Sequence, residues 1–127
     1  MSTFALEELD EVKDGVLQFR KLKVDGKCLY DQFCKEVEKN PVEEKKLNKI
    51  RTYMNTLAES NLRLSKSMFN SIKDKGVVIG YEFKYDNMRV YVIKKDPNVY
   101  VVLGGYKKKQ DKDIKSFSKI IKDFTTF

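Results

Sequence analysis

The chain has 127 residues, enough for one hydrophobic core but not for two, so it reads as a single domain. Apolar residues make up 41% and charged residues 35%, and no apolar run reaches the roughly 18 residues of a membrane-spanning helix, so a helical membrane protein is excluded. The net charge of +7 favours polyanionic partners such as nucleic acid, a ribosome or an acidic protein, and the absence of any histidine excludes a Ser-His-Asp triad, a Cys-His pair or an imidazole base.

Residues 1–15 are acidic and read as an N-terminal extension, weakly helical around Leu6 and Leu9. They lack a basic stretch followed by an apolar one, so no secretory signal is expected and the expected compartment is the cytoplasm. Residues 16–24 read as a first strand, closed by the turn pair Asp25-Gly26. Over 27–39, Leu29, Phe33 and Val37 recur every four positions, which predicts an amphipathic helix. Cys28 and Cys34 lie six residues apart in it, on different helix faces, so neither a disulfide nor a zinc pair is expected. Reduced thiols suit the cytoplasm.

Asn40-Pro41 then starts a second helix, with Asn40 as cap, Pro41 at the first helical position and Glu43 where a capping box wants its acid. Leu47, Ile50, Met54, Leu57 and Asn61 follow at helical spacing, and so short a break predicts a helical hairpin. Residues 65–75 fit either a short helix or a packed loop. Strands are predicted over 77–85, 88–94 and 99–103, separated by Asp86-Asn87 and by Lys95-Asp96-Pro97-Asn98. A last helix spans 111–124, with Ile114, Phe117, Ile120, Ile121 and Phe124 along one face. The order is β-α-α-β-β-β-α, an α+β domain whose antiparallel sheet packs against a helical hairpin and a C-terminal helix.

A two-residue turn at Asp86-Asn87 sets the pairing: Tyr85 opposite Met88, Lys84 opposite Arg89, Phe83 opposite Val90 and Glu82 opposite Tyr91. Strand alternation then puts Val77, Ile79, Tyr81, Phe83, Tyr85, Met88, Val90 and Val92 on one face, the core face. Glu82, Lys84, Arg89 and Tyr91 share the other, polar face. Two cations side by side are either solvated and splayed, with Glu82 as counter-ion, or a phosphate site in which they share one anion. Gly104-Gly105 allow close approach of a ligand or of another segment, and Lys107, Lys108 and Lys109 follow directly. With Lys112, Lys115, Lys119 and Lys122 they make the C-terminal end cationic. No phosphate-binding glycine loop occurs, and the carboxylates show no metal pattern, so no metal or small-molecule cofactor is expected. An enzyme of this inventory would work with lysine, arginine and tyrosine, which suits phosphoryl transfer.

The ordered set Tyr81-Glu82-Phe83-Lys84, Met88-Arg89-Val90-Tyr91 and the segment 101–112, with its Leu103-Gly104-Gly105-Tyr106 and lysine run, resembles the C-terminal half of RelE/HigB-type toxins, closest to the phage-derived HigB branch. The resemblance covers about 78–124 in motif and 16–64 only in the order of elements. It implies the RelE-like fold and a metal-independent, ribosome-dependent endoribonuclease that cleaves mRNA. It also implies a cognate antitoxin, of the helix-turn-helix HigA kind, beside the ribosome and mRNA as partners. By position, Lys84, Arg89, Lys107 and Lys108 would be catalytic, with Tyr91, Tyr106, Lys109 and Lys112 contacting RNA. Two departures stand out: Gly104 replaces the family's frequent histidine, and Glu82 stands where RelE often has a second lysine. A non-catalytic RelE-like binding protein, or a basic adaptor acting through its sheet edge, is the alternative.

Overall fold

The computed structural model describes residues 2–62 and 64–125. Six strands are present: β1 (Phe4–Glu8), β2 (Gln18–Val24), β3 (Phe69–Asp74), β4 (Val77–Tyr85), β5 (Met88–Lys95) and β6 (Asn98–Tyr106). Helices α1 (Leu29–Val37) and α2 (Pro41–Ser60) lie between β2 and β3, and α3 (Gln110–Thr125) follows β6 after one 3-10 turn, Lys107–Lys109. The strands form one sheet in the order β1-β2-β6-β5-β4-β3. All neighbours are antiparallel except β2 and β6, which pair in parallel from Gln18–Asn98 to Lys21–Val101. The protein is therefore α+β, with a mixed sheet where a wholly antiparallel one was expected. After β2 the chain crosses through α1 and α2 to the far edge of the sheet and returns through the antiparallel run β3-β4-β5-β6, which brings β6 beside β2 in the same direction.

Both added strands correct the sequence reading. Residues 4–8 are a strand, not a weak helix, and Leu9 and Val12 just beyond them are buried in the main core. The ambiguous 65–75 segment contains β3, which turns into β4 at Lys75-Gly76, both with left-handed φ of 52° and 81°. Asp25-Gly26 makes the same kind of turn, with φ of 52° and 80°. Two left-handed residues in succession match the twist of a tight hairpin.

Helices cover both faces of the sheet. On one, α1 and α2 press Tyr30, Cys34, Val37, Leu47, Ile50, Met54 and Leu57 onto Phe19, Phe83, Met88, Val90, Val92, Val99 and Val101. On the other, α3 sets Phe117 and Ile121 against Leu22, Ile72, Tyr91, Ile93, Val102 and Leu103. The buried stripe of α1 is thus Tyr30-Cys34-Val37, not Leu29-Phe33-Val37. A strict four-residue spacing drifts about 40° per step around a helix, so Leu29 and Phe33 end on its flank. Leu29 packs towards the α3 side and Phe33 against the hairpin core. Bulges make a similar correction in the sheet. Between Ile72–Gly80 and Lys73–Val78, Ile79 is the extra residue, and it packs with the α3 core rather than the hairpin core.

Helix α2 begins as its sequence suggests, with Asn40 Oδ1 accepting from the amides of Val42 at 2.9 Å and Glu43 at 3.4 Å. The capping box does not close, because the Asn40 amide donates to the Val37 carbonyl and Glu43 pairs with Lys46 at 2.9 Å. Cys28 and Cys34 are free and buried. No helix among the described residues is long and apolar enough to cross a membrane.

Candidate functional site

The β4–β5 register is the one the two-residue turn predicts: Tyr85–Met88, Lys84–Arg89, Phe83–Val90 and Glu82–Tyr91. On the next strand Arg89 pairs with Gly105 and Tyr91 with Leu103. Two rows therefore cross the α3 face of the sheet, Lys84-Arg89-Gly105 near the turn and Glu82-Tyr91-Leu103 behind it. This face was expected to be polar, but α3 lies over it, and of Glu82, Lys84, Arg89 and Tyr91 only Lys84 remains partly exposed.

Arg89 is 8% exposed. Its Nη1 donates to the carbonyls of Asp86 at 2.8 Å and Met88 at 2.9 Å, bracing the hairpin turn, while its Nε has no hydrogen-bond partner among the described residues. Glu82, also buried, accepts a hydrogen bond from Gln110 Nε2 of α3 at 3.0 Å. Lys84 makes no side-chain hydrogen bond or ion pair among the described residues, and its amide donates to the Met68 carbonyl at 2.8 Å. The pair is thus asymmetric: Arg89 is a fixed, largely buried cation and Lys84 an accessible one.

Tyr91 is fully buried, with its ring 5.7 Å from that of Phe117. Burial pushes its phenol far above its ordinary pKa, and the neighbouring Glu82 and Asp113 add to the shift. Tyr91, expected to contact RNA, instead has its ring in the core beneath α3. The glycine pair is also filled from within. A side chain at Gly104 would strike the Phe33 ring of α1, and one at Gly105 would strike the Asp113 carboxylate of α3. Their close approach serves chain packing rather than an open ligand cradle.

Lys107, Lys108 and Lys109 are exposed on the turn after β6, anchored by the Lys107 amide donating to the Asn87 carbonyl at 2.7 Å. Lys108 and Lys109 border a groove shared with Phe33, Glu36, Glu43, Tyr106 and Asp113. Glu36 is paired with Lys39 and Glu43 with Lys46, which leaves the groove's own two lysines without ion pairs among the described residues. Tyr106 is half-buried, edge-on to Phe33 at 5.6 Å, and burial raises its pKa, so it offers only part of a ring. Gly105 links the two sets, pairing with Arg89 in the ladder and bordering the lysine groove. Lys112 is exposed one turn further along α3.

Glu82, Gln110 and Asp113 are polar participants that the sequence reading did not bring together. The available signal was the unbroken apolar runs 90–93 and 99–103, which mark strands buried on both faces and so require a helix over the second one. Burial raises the Asp113 pKa, while Lys109 and Lys112 oppose the shift. Among the described residues no group of His, Cys, Asp or Glu is arranged to hold a metal ion. The arrangement offers fixed and mobile positive charge at one end of the sheet, which suits holding a phosphodiester. No protein-family model and no curated protein matches the chain.

Proposed function

We propose that the chain is a toxin of the RelE/HigB type, a ribosome-dependent endoribonuclease whose activity a cognate antitoxin restrains. The observation that carries this reading is the cross-strand pair of Lys84 and Arg89, one ladder step from Gly105 and the Lys107–Lys109 turn. The order of elements is compatible with it: with β1 and β3 set aside, the chain runs β2-α1-α2-β4-β5-β6-α3, the β-α-α-β-β-β-α order that the resemblance implies. In this reaction the ribose 2′-oxygen attacks phosphorus, its proton passes to a base, and the 5′-oxygen leaves with a proton from an acid. Lys84 meets the scissile phosphate, Arg89 supplies fixed charge from beneath, and Lys107 or Lys108 serves the leaving oxygen. The Phe33 ring fills the space that a side chain at position 104 would need, which accounts for glycine where the family often has histidine.

A second reading, a RelE-like protein that binds but does not cut, is favoured by one observation: Arg89 Nη1 is committed to the turn carbonyls. Cleavage of mRNA on translating ribosomes separates the two. Unmodified protein should cut, and Lys84→Ala should lose about 10²–10³ in rate, the order seen on removing one transition-state donor. Arg89→Lys, checked for folding by thermal unfolding, should also be slower. Intact mRNA with unmodified protein would move the conclusion to the binding protein.

A further inference from the structure

We infer that the outward face of α3, with the β3–β4 hairpin beside it, is a track for an RNA sugar–phosphate backbone, separate from the Lys84–Arg89 row. This rests on the proposed function and names the surface that would hold the RNA. Phe117 and Ile121 turn towards the sheet. Lys112, Lys115, Lys119 and Lys122 are spaced by three, four and three residues, so they fall within about 80° of arc on the opposite side, along roughly 15 Å of helix. All four are exposed. Between α3 and β3 runs a groove walled by Lys73, Lys115, Lys119 and Lys122 and floored by Ile79 and Ile114. Asp74 is the single carboxylate lining it, 3.9 Å from Lys122.

Lys21, Lys46 and Lys94 are neutralised at short range, by Asp31 at 2.9 Å, Glu43 at 2.9 Å and Asp96 at 2.6 Å. Lys112, Lys115 and Lys119 make no ion pair among the described residues. Like charges three and four residues apart destabilise a helix by a few tenths of a kcal/mol per pair. A polyanion relieves that repulsion, because successive phosphates meet successive ammonium groups. A lipid surface fits less well: a helix that binds in the interface inserts its apolar face, and here that face is occupied by the sheet. Among the described residues the outward face of α3 carries no aromatic residue or amide to read bases, so contact with the backbone should be independent of sequence.

The test is binding of a fluorescent, 2′-O-methylated single-stranded RNA across a salt series, in two unrelated sequences. Each lysine–phosphate contact contributes about 0.7 to the slope of log K against log salt, so Lys115→Gln/Lys119→Gln should lower the slope by about 1.4. Affinity should fall equally for both sequences. The charge-matched pair Lys45→Gln/Lys49→Gln, exposed on α2, should leave the slope unchanged. An unchanged slope in the α3 variant, an equal loss in the α2 control, or retention on phosphatidylglycerol vesicles without RNA binding would each overturn the track. If the α3 variant binds normally while Lys84→Ala abolishes cleavage, the track falls and the nuclease reading stands. If the α3 slope drops as expected but unmodified protein never cuts, the track stands and the nuclease reading falls.

Discussion

Adding one methyl group at Gly104 should destabilise the protein, and removing Phe33 should reverse the sign of that change. Gly104 lies in β6 and its φ is not among the positive ones, so alanine meets no backbone penalty. The obstacle is the Phe33 ring. A Cβ at 104 would stand 2.8 Å from Cε2 and 2.9 Å from Cγ, and closer still to Cδ2. Carbon atoms rest about 3.5–4.0 Å apart, so the ring must retreat by roughly 1 Å. Because Cγ is itself too close, rotation of the ring about its own axis gives no relief, and Phe33 must leave both its rotamer and its edge contact with Tyr106. Each departure costs about 0.5–1.5 kcal/mol. Alanine recovers about 0.5–1 kcal/mol over glycine within a strand. The expected net loss is about 0.5–2 kcal/mol, read in urea as a lower midpoint at constant m. In a Phe33→Ala background the same change should gain about 0.5–1 kcal/mol, a coupling of about 1–3 kcal/mol. Equal effects of Gly104→Ala in both backgrounds would refute the reasoning.

Gly80→Ala should cost more than Gly104→Ala, because its Cβ would lie 2.5 Å from Cζ of the fully buried Phe117 and 2.9 Å from the Val92 carbonyl, which cannot swing aside; urea midpoints rank the two. Phe83→Ala should lose about 3–5 kcal/mol, since the ring is fully buried against Phe19 and Phe69; a loss below 1 kcal/mol in the same assay would contradict its place in the core. Asn40→Ala should lose about 1 kcal/mol, as the Val42 and Glu43 amides lose their acceptor, whereas Asn40→Asp should hold. Asp113→Asn should stabilise the protein at pH 7. A carboxyl whose pKa rises on folding carries a penalty that is absent well below its ordinary value of 3.8 and complete above the raised value, so the advantage should shrink as the pH falls towards 3.8. An advantage that grows on acidification would contradict the burial of Asp113.

The elements most legible in the sequence are those whose information is local. Asp25-Gly26 and Asp86-Asn87 are turns because few residues accept left-handed backbone, and the second sets the Lys84–Arg89 register by counting alone. Asn40-Pro41 starts α2 because a cap and a fixed φ act on the first turn only. The apolar faces of α2 and α3 follow from their 3.6-residue period.

Tertiary structure decided what depends on a neighbour distant in the chain. Strands β1 and β3 carry no strong pattern of their own and form because β2 and β4 present edges to them. Which side of α1 is buried depended on Gly104 making room for Phe33 on the flank, leaving Tyr30 and Cys34 to face the core. The environment of the cation pair depended on α3. Alternation put Arg89 and Tyr91 on one face, but alternation carries no information on whether that face meets water or a helix. The apolar stripe of α3 required a surface, and the face holding Tyr91, Ile93, Val102 and Leu103 supplied it, so Arg89 and Glu82 went under with it and Lys84 stayed at the rim.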